Sequence, residues 1–525
     1  MSTRPRYSLN PTSGVLKPRQ LMHLLRRCLF GVSFAELKEF EGLTADECLK
    51  ILLHPARYVN MLPQEDPDVE DPLVAHGEDW TNAPYENEII DKRRRVYLKS
   101  WWVGRLLSRN LSVTEKMTLF WHNHLATAID SVADARFSYR YAELLRKNAL
   151  GNIRQLVRQV TTNHAMLVYL NGTSNIKDAP NENFSRELLE LFTVGKGNTH
   201  TYTEDDVKAA ARVLTGWKTN ADNIEVNFVP GLHDTKPKQF SSFFNNRVIE
   251  GREGADGATE TDELIEMIFS KKETAAFICR NLYRWFVSSH ITADTEAYII
   301  TPLAETLMAN NYNVVPVLRR LLASEHFFDE AFYGSIVKSP VDFFVGVSRQ
   351  VNLKFPEKPA EHHLCWIHYN YYLGGLSQFI GDPPSVAGWP AYSQAPKFHQ
   401  WWINSYTLGF RKKIIESLAS AEGMSCNGPV VKFDFINFLN SFDSAGRVDD
   451  LINSTTSFLL AVTPPTEIIS ELTTTLNGGN NPTGWKEIWE SYKEKPGSKS
   501  LQIAVEDRLR SYFLKIFNLP EFQVT

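Results

Sequence analysis

The sequence predicts a mainly α-helical protein: a large multi-helix, bundle-like body with a small β-hairpin insertion around residues 219–257. Three observations predict this fold class. Apolar residues recur at helical spacing in long blocks over most of the chain. Several blocks open with a Ser or Thr followed three residues later by Glu or Asp, which is typical of a capped helix start. The insertion differs, because it is rich in Asn, Gly, Asp and Phe and holds short β-prone runs.

The first helices are short and well capped. Residues 17–30 place their leucines on one face, which predicts a helix that ends at Gly31. The pair Ser33 and Glu36 predicts a capping box for the next helix, and Thr44 with Glu47 predicts another. Short capped helices in succession favour an all-α body.

The chain divides into four segments. Residues 63–95 are predicted to form an acidic loop or linker, since their first part is rich in Pro and acidic residues and shows no periodicity. This loop separates an N-terminal helical segment, residues 1–62, from a central helical core, residues 96–416, which carries the hairpin insertion. Residues 417–525 form a C-terminal helical segment.

Helical periodicity predicts further helices in order along the chain. They lie at residues 91–108, 115–128, 136–147, 153–162, 182–194, 205–214, 260–286, 297–328, 338–353, 401–415 and 501–517. The apolar stripes at residues 263–269 and 277–286 are interpreted as core. The three arginines at residues 93–95 are interpreted as a solvated face of their helix. Two of these helices, joined by a Gly-rich turn within residues 181–217, give the densest run of structural signals in the chain.

Composition excludes several function classes. A net charge of −5 and a pI near 6.3 offer no basic excess for nucleic acid, so no nucleic-acid partner is predicted. No stretch approaches the roughly 18 apolar residues of a membrane span, so no span is predicted. The N-terminus lacks the apolar core of a signal peptide, which predicts a cytoplasmic protein as written. The five cysteines are scattered singly and are expected to be buried free thiols.

His122 and His124 are candidate metal ligands near the end of a predicted helix. Side chains two positions apart on a helix are separated by about 200°, so these two cannot share a face while the helix stays regular. At a frayed helix end they could converge on one ion. The alternative is one packed and one exposed histidine.

Glu187 and Glu190 are candidate catalytic carboxylates. They are three residues apart on a predicted helix and share a face, so they could also supply two oxygens to a metal. The alternative is a solvated helix in which Arg186 pairs with the carboxylates four residues away on either side, Glu182 and Glu190.

His233 and Asp234 form a second candidate metal site within the run HDTKPK. The acidic neighbour could orient the imidazole, or the pair could bind a cation. Equally, the run is a turn in which Asp234 caps the backbone.

A rigid, irregular segment is predicted at residues 374–392, where Gly and Pro are frequent. It ends beside Trp389, and Trp401 follows in the next helix. Aromatic side chains are frequent anchors of protein interfaces, so the two tryptophans are candidate interface residues.

Several stretches together resemble the family called domain of unknown function 1800, found mostly in bacteria. The matching stretches are RRCLFG at 26–31, EKMTLFWHNHL at 115–125, AMLVYLNG at 165–172, NENFSRELLELFTVG at 181–195, YTEDDVKAAARVLTGW at 202–217, HDTKPK at 233–238, GDPPSVAGWP at 381–390 and LPEFQV at 519–524. They occur in order and span nearly the whole chain.

The resemblance implies a predominantly helical protein without an assigned activity. It also implies a protein partner of alkaline phosphatase or sulfatase-like fold, since such a family is often encoded beside this one. Many family members carry an export signal, so the resemblance implies an extracytoplasmic alternative to the placement expected from the N-terminus.

Two functions therefore follow from the sequence. The first is a scaffold, or a partner or maturation factor for a second protein, in which the charged residues are structural and Trp389 and Trp401 contact the partner. The alternative is a metal-dependent hydrolase or oxidoreductase that holds zinc, iron or manganese with His122, His124, His233 and Asp234 and uses Glu187 and Glu190 in catalysis. The sequence contains no HExxH and no GxSxG motif to support the enzyme.

Overall fold

A computed structural model describes residues 7–56, 63, 71–75, 78–196, 201–442 and 445–525. Residues 64–70 and 76–77 of the predicted acidic loop lie outside these residues. Its end is described, and a helix begins at Glu88, so the loop is shorter than the predicted range of 63–95.

Most described helices of the N-terminal half lie close to the predicted positions, whereas the two short helices Ile129–Val132 and His164–Tyr169 are not predicted. The helices of this half are α1 Pro18–Cys28, α2 Phe34–Lys38, α3 Ala45–Leu52, α4 Glu88–Leu107, α5 Thr114–His124, α6 Ile129–Val132, α7 Ala135–Lys147, α8 Ile153–Thr161, α9 His164–Tyr169, α10 Glu182–Glu187 and α11 Glu204–Val213. The capping boxes of α2 and α3 form as predicted, and Asn181 caps α10.

Helices also form most of the remaining chain. They are α12 Glu260–Phe269, α13 Lys272–Phe286, α14 Ala293–Thr295, α15 Thr301–Ala309, α16 Val314–Leu322, α17 Pro340–Gln350, α18 Pro359–Gly375, α19 Pro390–Ser393, α20 Ser405–Ala419, α21 Phe435–Leu439, α22 Val448–Leu459, α23 Thr466–Asn477, α24 Gly484–Glu494 and α25 Lys499–Asn518. No described helix is long and apolar enough to cross a bilayer.

The strands within the described residues are short and antiparallel. They pair as β1 Trp217–Asn220 with β2 Glu225–Phe228, β3 Lys238–Gln239 with β4 Val248–Ile249, and β5 Met424–Ser425 with β6 Val430–Val431. The first two pairs lie in the predicted hairpin insertion. The predicted mainly α fold class is therefore confirmed.

Helix packing brings distant parts of the chain together. α4 lies along α18, and Gly104 allows this approach, because a Cβ there would stand 2.8 Å from the Trp366 ring. α1 is buried, and it contacts residues far along the chain: the His23 ring lies 3.1 Å from the Phe327 carbonyl, and Arg26 donates to the Phe458 carbonyl at 2.8 Å. All five cysteines are free and buried, as expected from the sequence.

Of the three arginines in the first half of α4, Arg93 is exposed as predicted, and the other two contradict the interpretation that the run forms a solvated face. Arg94 and Arg95 are buried. Arg94 donates to Asp71 at 2.7 Å, and Arg95 pairs with Asp91 at 2.8 Å and with Glu88. Buried guanidinium groups need such partners, so these residues are structural.

A π-helical segment, Leu188–Thr193, continues α10. Its backbone bonds reach five residues back: the Val194 N–H donates to the Leu189 carbonyl at 2.9 Å. The wider turn changes which side chains share a face, and such segments are frequent at functional sites.

Candidate functional site

A cleft of about 660 Å³ opens beside the C-terminal end of α5. Four segments that are distant in sequence line it: α5, the π-helical segment with the turn after it, α13, and the irregular segment before and within α19. Its lining residues are Phe120, Asn123, His124, Glu190, Leu191, Lys196, Phe277, Asn281, Arg284, Trp285, Ser385, Ala387, Gly388, Pro390, Tyr392, Ser393 and Gln394. Two of the predicted site residues, His124 and Glu190, therefore share one cleft.

His124 presents a hydrogen-bond acceptor. Its Nε2 lies 2.9 Å from the Phe192 carbonyl, which can only accept, so Nε2 carries the proton and Nδ1 is left with a lone pair. The Asn281 amide nitrogen lies 3.5 Å from Nδ1. Burial lowers the pKa of His124 to about 4, only partly offset by the bond to the Phe192 carbonyl, so the ring is neutral at pH 7.

His122 points elsewhere. Its ring is buried between Trp102 and Trp389, with ring centroids 4.9 Å and 5.8 Å away. Burial lowers its pKa to about 4. The regular helix separates the two histidines as the spacing argument requires, but both are buried, so the expectation of one exposed histidine is wrong.

Glu190 is mostly buried and pairs with the exposed Lys196. Glu187 lies at the end of α10, where burial, and then the neighbouring Glu190, raises its pKa. The predicted ion pair between Arg186 and Glu190 does not form; Arg186 pairs with Glu182 and Glu204 instead.

Two glycines hold the walls of the cleft together. Gly388 has a φ of +77°, and a Cβ there would lie 2.3 Å from the Asn123 Oδ1. The same Oδ1 accepts the Trp389 N–H at 2.8 Å, which fixes the irregular segment on the end of α5. Gly195 has a φ of +84°, and a Cβ there would lie 2.5 Å from the Phe277 ring. Only glycine allows both close approaches without strain.

The two candidate interface tryptophans differ in exposure. Trp389 is 1% exposed, so its ring is not offered to a partner in this conformation. Trp401 is 43% exposed and lies under the Lys397 ammonium, 4.8 Å from the ring centroid.

His233 and Asp234 lie in a separate, closed cluster beneath the hairpins. The His233 Nε2 lies 3.0 Å from Glu260, which also pairs with Lys238, and both members of the latter pair are fully buried. Asp234 pairs with Arg212 at 2.7 Å. Burial would raise the pKa of Asp234, but the Arg212 bond and further bonds hold it below its ordinary value.

The predicted metal ligands are thus distributed over three environments. His124 lines the cleft, His122 lies in an aromatic pocket, and His233 with Asp234 belongs to the closed cluster. Among the residues that the structure describes, no three His, Cys, Asp or Glu side chains are grouped so that they could hold a metal ion.

Sequence reasoning missed the α13 face of the cleft. The stripe at residues 277–286 was interpreted as core, and Ile278, Cys279 and Leu282 are buried as expected. The other face of the same helix, with Asn281 and Trp285, lines the cleft. The polar residues Arg280, Asn281 and Arg284 interrupt this apolar run, and they indicate that the helix has a second face outside the core.

Comparison with known proteins gives one match. A family model described as "Protein of unknown function (DUF1800)" matches residues 23–524, nearly the whole chain. No curated protein and no solved structure matches the chain.

Proposed function

Since the chain belongs to the DUF1800 family, whose description assigns no activity, we propose from the cleft itself that the protein binds a small polar organic molecule there and acts on it by proton transfer. The observation that supports this most is the convergence of four distant segments on one cleft with aromatic walls and a few polar groups. That combination is typical of small-molecule sites.

In this proposal His124 orients the ligand and Glu190 accepts the proton. The neutral His124 offers its Nδ1 lone pair to a ligand hydroxyl or N–H. Its low pKa makes it a poor base, so it serves as a hydrogen-bond acceptor. Glu190 pairs with Lys196, and the Lys196 side chain is exposed, so it can move away when a ligand enters. The rings of Trp285 and Tyr392, 4.3 Å apart, form the wall against which the ligand packs.

Ligand-observed saturation-transfer NMR tests the proposal. The probes are glucose, N-acetylglucosamine, glycine, glutamate and succinate, each with the full chain. Ala387 is exposed in the cleft lining, so Ala387→Trp fills the cleft with little effect on the core. The matched control is Ser470→Trp, at an exposed position of α23 that is not part of the lining.

We expect at least one probe to receive saturation from the wild type and from Ser470→Trp, and to lose it with Ala387→Trp. Absence of transfer to every probe, or an equal signal from Ala387→Trp, would overturn the proposal.

The metal-dependent form of the enzyme is a narrower proposal. It is supported by His124 and Glu190 in one cleft, and it requires zinc, iron or manganese to take further ligands from water or substrate. Elemental analysis of the purified chain tests it. We expect near one equivalent of one of these metals if the proposal holds; less than about a tenth of an equivalent, with no binding of added Zn²⁺ or Mn²⁺, contradicts it.

A second candidate function is the scaffold or maturation partner. One observation favours it: Trp401, Tyr406 and Leu408 lie within eight residues of one another and are 43%, 65% and 46% exposed. Clustered exposed aromatic residues are typical of protein contacts. The proposed partner is the one that the family resemblance implies, of alkaline phosphatase or sulfatase-like fold. Failure of such a co-expressed partner to co-purify, or equal recovery with Trp401→Ser and Tyr406→Ser, would argue against it.

A further inference from the structure

A second, smaller cavity lies on the other side of the wall formed by Trp285 and Tyr392. It has a volume of about 30 Å³, more than the 10–15 Å³ that one water needs. Four of its lining side chains carry positive charge: Arg26 and Arg27 of α1, Lys116 of α5 and Arg284 of α13.

The two α1 arginines have donors without acceptors. Arg27 is 2% exposed; its Nη2 donates to the Phe332 carbonyl at 2.7 Å and to the Ser335 Oγ at 3.0 Å. Its Nε and Nη1 are buried and have no acceptor among the described residues. Arg26 is 9% exposed, and its Nε likewise has none in the described part of the chain. Buried donors without acceptors are costly, so each points to an absent acceptor.

Three of the four positive charges that line the cavity also lack an ion-pair partner in the described part of the chain. Asp342 is the acidic side chain of the lining, and it pairs with Lys116; the last residue, Thr525, also contributes to the lining. Within the described ranges, Arg26, Arg27 and Arg284 form no ion pair. Burial lowers the pKa of Arg26 and of Arg27 to about 9. A water could accept the hydrogen bonds but would leave the positive charge unbalanced.

We propose that this cavity binds one small inorganic anion, of a size from chloride to phosphate, which accepts from the free N–H groups of Arg26 and Arg27. The anion neutralises the buried arginines and joins α1 to the segment at residues 336–342. Its site is distinct from the proposed ligand cleft, although Arg284, Trp285 and Tyr392 border both. The inference does not depend on the proposed function.

Thermal unfolding and isothermal titration of the full chain test the proposal. Potassium chloride, sulfate or phosphate replaces potassium gluconate at constant ionic strength, because gluconate is too large for the cavity. For the anion that fits, we expect a saturable rise of Tm, about 3 °C at a hundredfold excess over Kd, and one equivalent by titration. A rise that is linear in concentration for all salts would be a general salt effect and would overturn the proposal.

Three variants locate the site. Arg27→Gln should weaken binding at least about tenfold, because it removes a buried charge that contacts the anion. Asp342→Asn should tighten binding, since it removes the negative charge that competes for the cations, and it serves as the decisive variant if Arg27→Gln does not fold. Arg93→Gln, at an exposed position of α4, is the control and should bind as the wild type does. Unchanged binding in both Arg27→Gln and Asp342→Asn would contradict the proposal.

Discussion

The cleft beside α5 and the closed cluster around Glu260 both contain a histidine and a carboxylate, yet they differ in how exposed the lysine that pairs with the carboxylate is. In the cluster, Glu260 pairs with Lys238, accepts from the Arg252 N–H and lies 3.0 Å from the His233 Nε2, so its contacts are made within the protein. In the cleft, the Nδ1 of His124 lies 3.5 Å from the Asn281 amide nitrogen, and Glu190 pairs with an exposed lysine. A closed network stabilises the fold, whereas an open one is free to bind a ligand.

The two regions should differ most in how much the free energy of unfolding falls when the glutamate of each is neutralised. Glu260→Gln leaves the buried Lys238 without its counter-charge, and we expect a loss of about 3–5 kcal/mol in the free energy of unfolding. The matched change in the cleft, Glu190→Gln, should cost less than about 1 kcal/mol, because Lys196 is exposed and solvated. Urea denaturation of both variants measures these values. Equal losses would show that the cleft carboxylate is as structural as the buried one.

The two histidines of α5 and the Glu260 cluster should also lose stability in different pH ranges. His122 and His124 have folded pKa values of about 4, below the unfolded value of 6.5, so their contribution is complete above pH 6.5 and is lost as pH falls toward 4. Each contributes about 3 kcal/mol by this linkage. Burial would raise the pKa of Glu260, but bonds from His233, Lys238 and the backbone hold it below 4.5, so its contribution is lost only below pH 4.5.

Urea midpoints between pH 7 and pH 3 separate these two contributions. His122→Phe should flatten the profile between pH 6.5 and pH 4, and Glu260→Gln should flatten it below pH 4.5. A His122→Phe profile parallel to that of the wild type over the upper range would contradict the assignment.

A smaller effect is expected at the contact that holds the cleft wall. Gly388→Ala places a Cβ against Asn123 and forces alanine into a left-handed φ, which together should cost about 2 kcal/mol. Gly14→Ala is the matched control, because Gly14 has the same φ of +77° with no atom within 4 Å of the added Cβ. Gly14→Ala should therefore cost only the backbone strain, about 1 kcal/mol. If the two variants melt alike, the contact with Asn123 does not hold the wall.

Local signals predicted most of the fold. Capping boxes such as Ser33 with Glu36 depend on neighbouring residues, so they could be recognised in the sequence and they form in the structure. The hairpin insertion could also be recognised from a local signal, because its composition differs from that of the helices. In contrast, Arg94 and Arg95 looked solvated, because their partners are supplied by the tertiary fold.

The candidate site was only partly predictable. His124 and Glu190 were named from residue type and spacing, but their shared cleft depends on Gly388 and Gly195, whose role is set by close approaches across the fold. The Glu260 partner of His233 was missed, since residues 27 positions apart carry no local signal of contact. The π-helical segment that continues α10 has no recognised sequence pattern either.

The contacts of α1 bear on how the chain reaches its native state. The partners of His23 and Arg26 follow 304 and 432 residues later in the sequence. Closing loops of this length precedes any gain from the contacts, so such pairings form slowly. During synthesis the Arg26 guanidinium can therefore reach this partner only after residue 458 has left the ribosome. The first helix of the chain is thus among the last to reach its final environment.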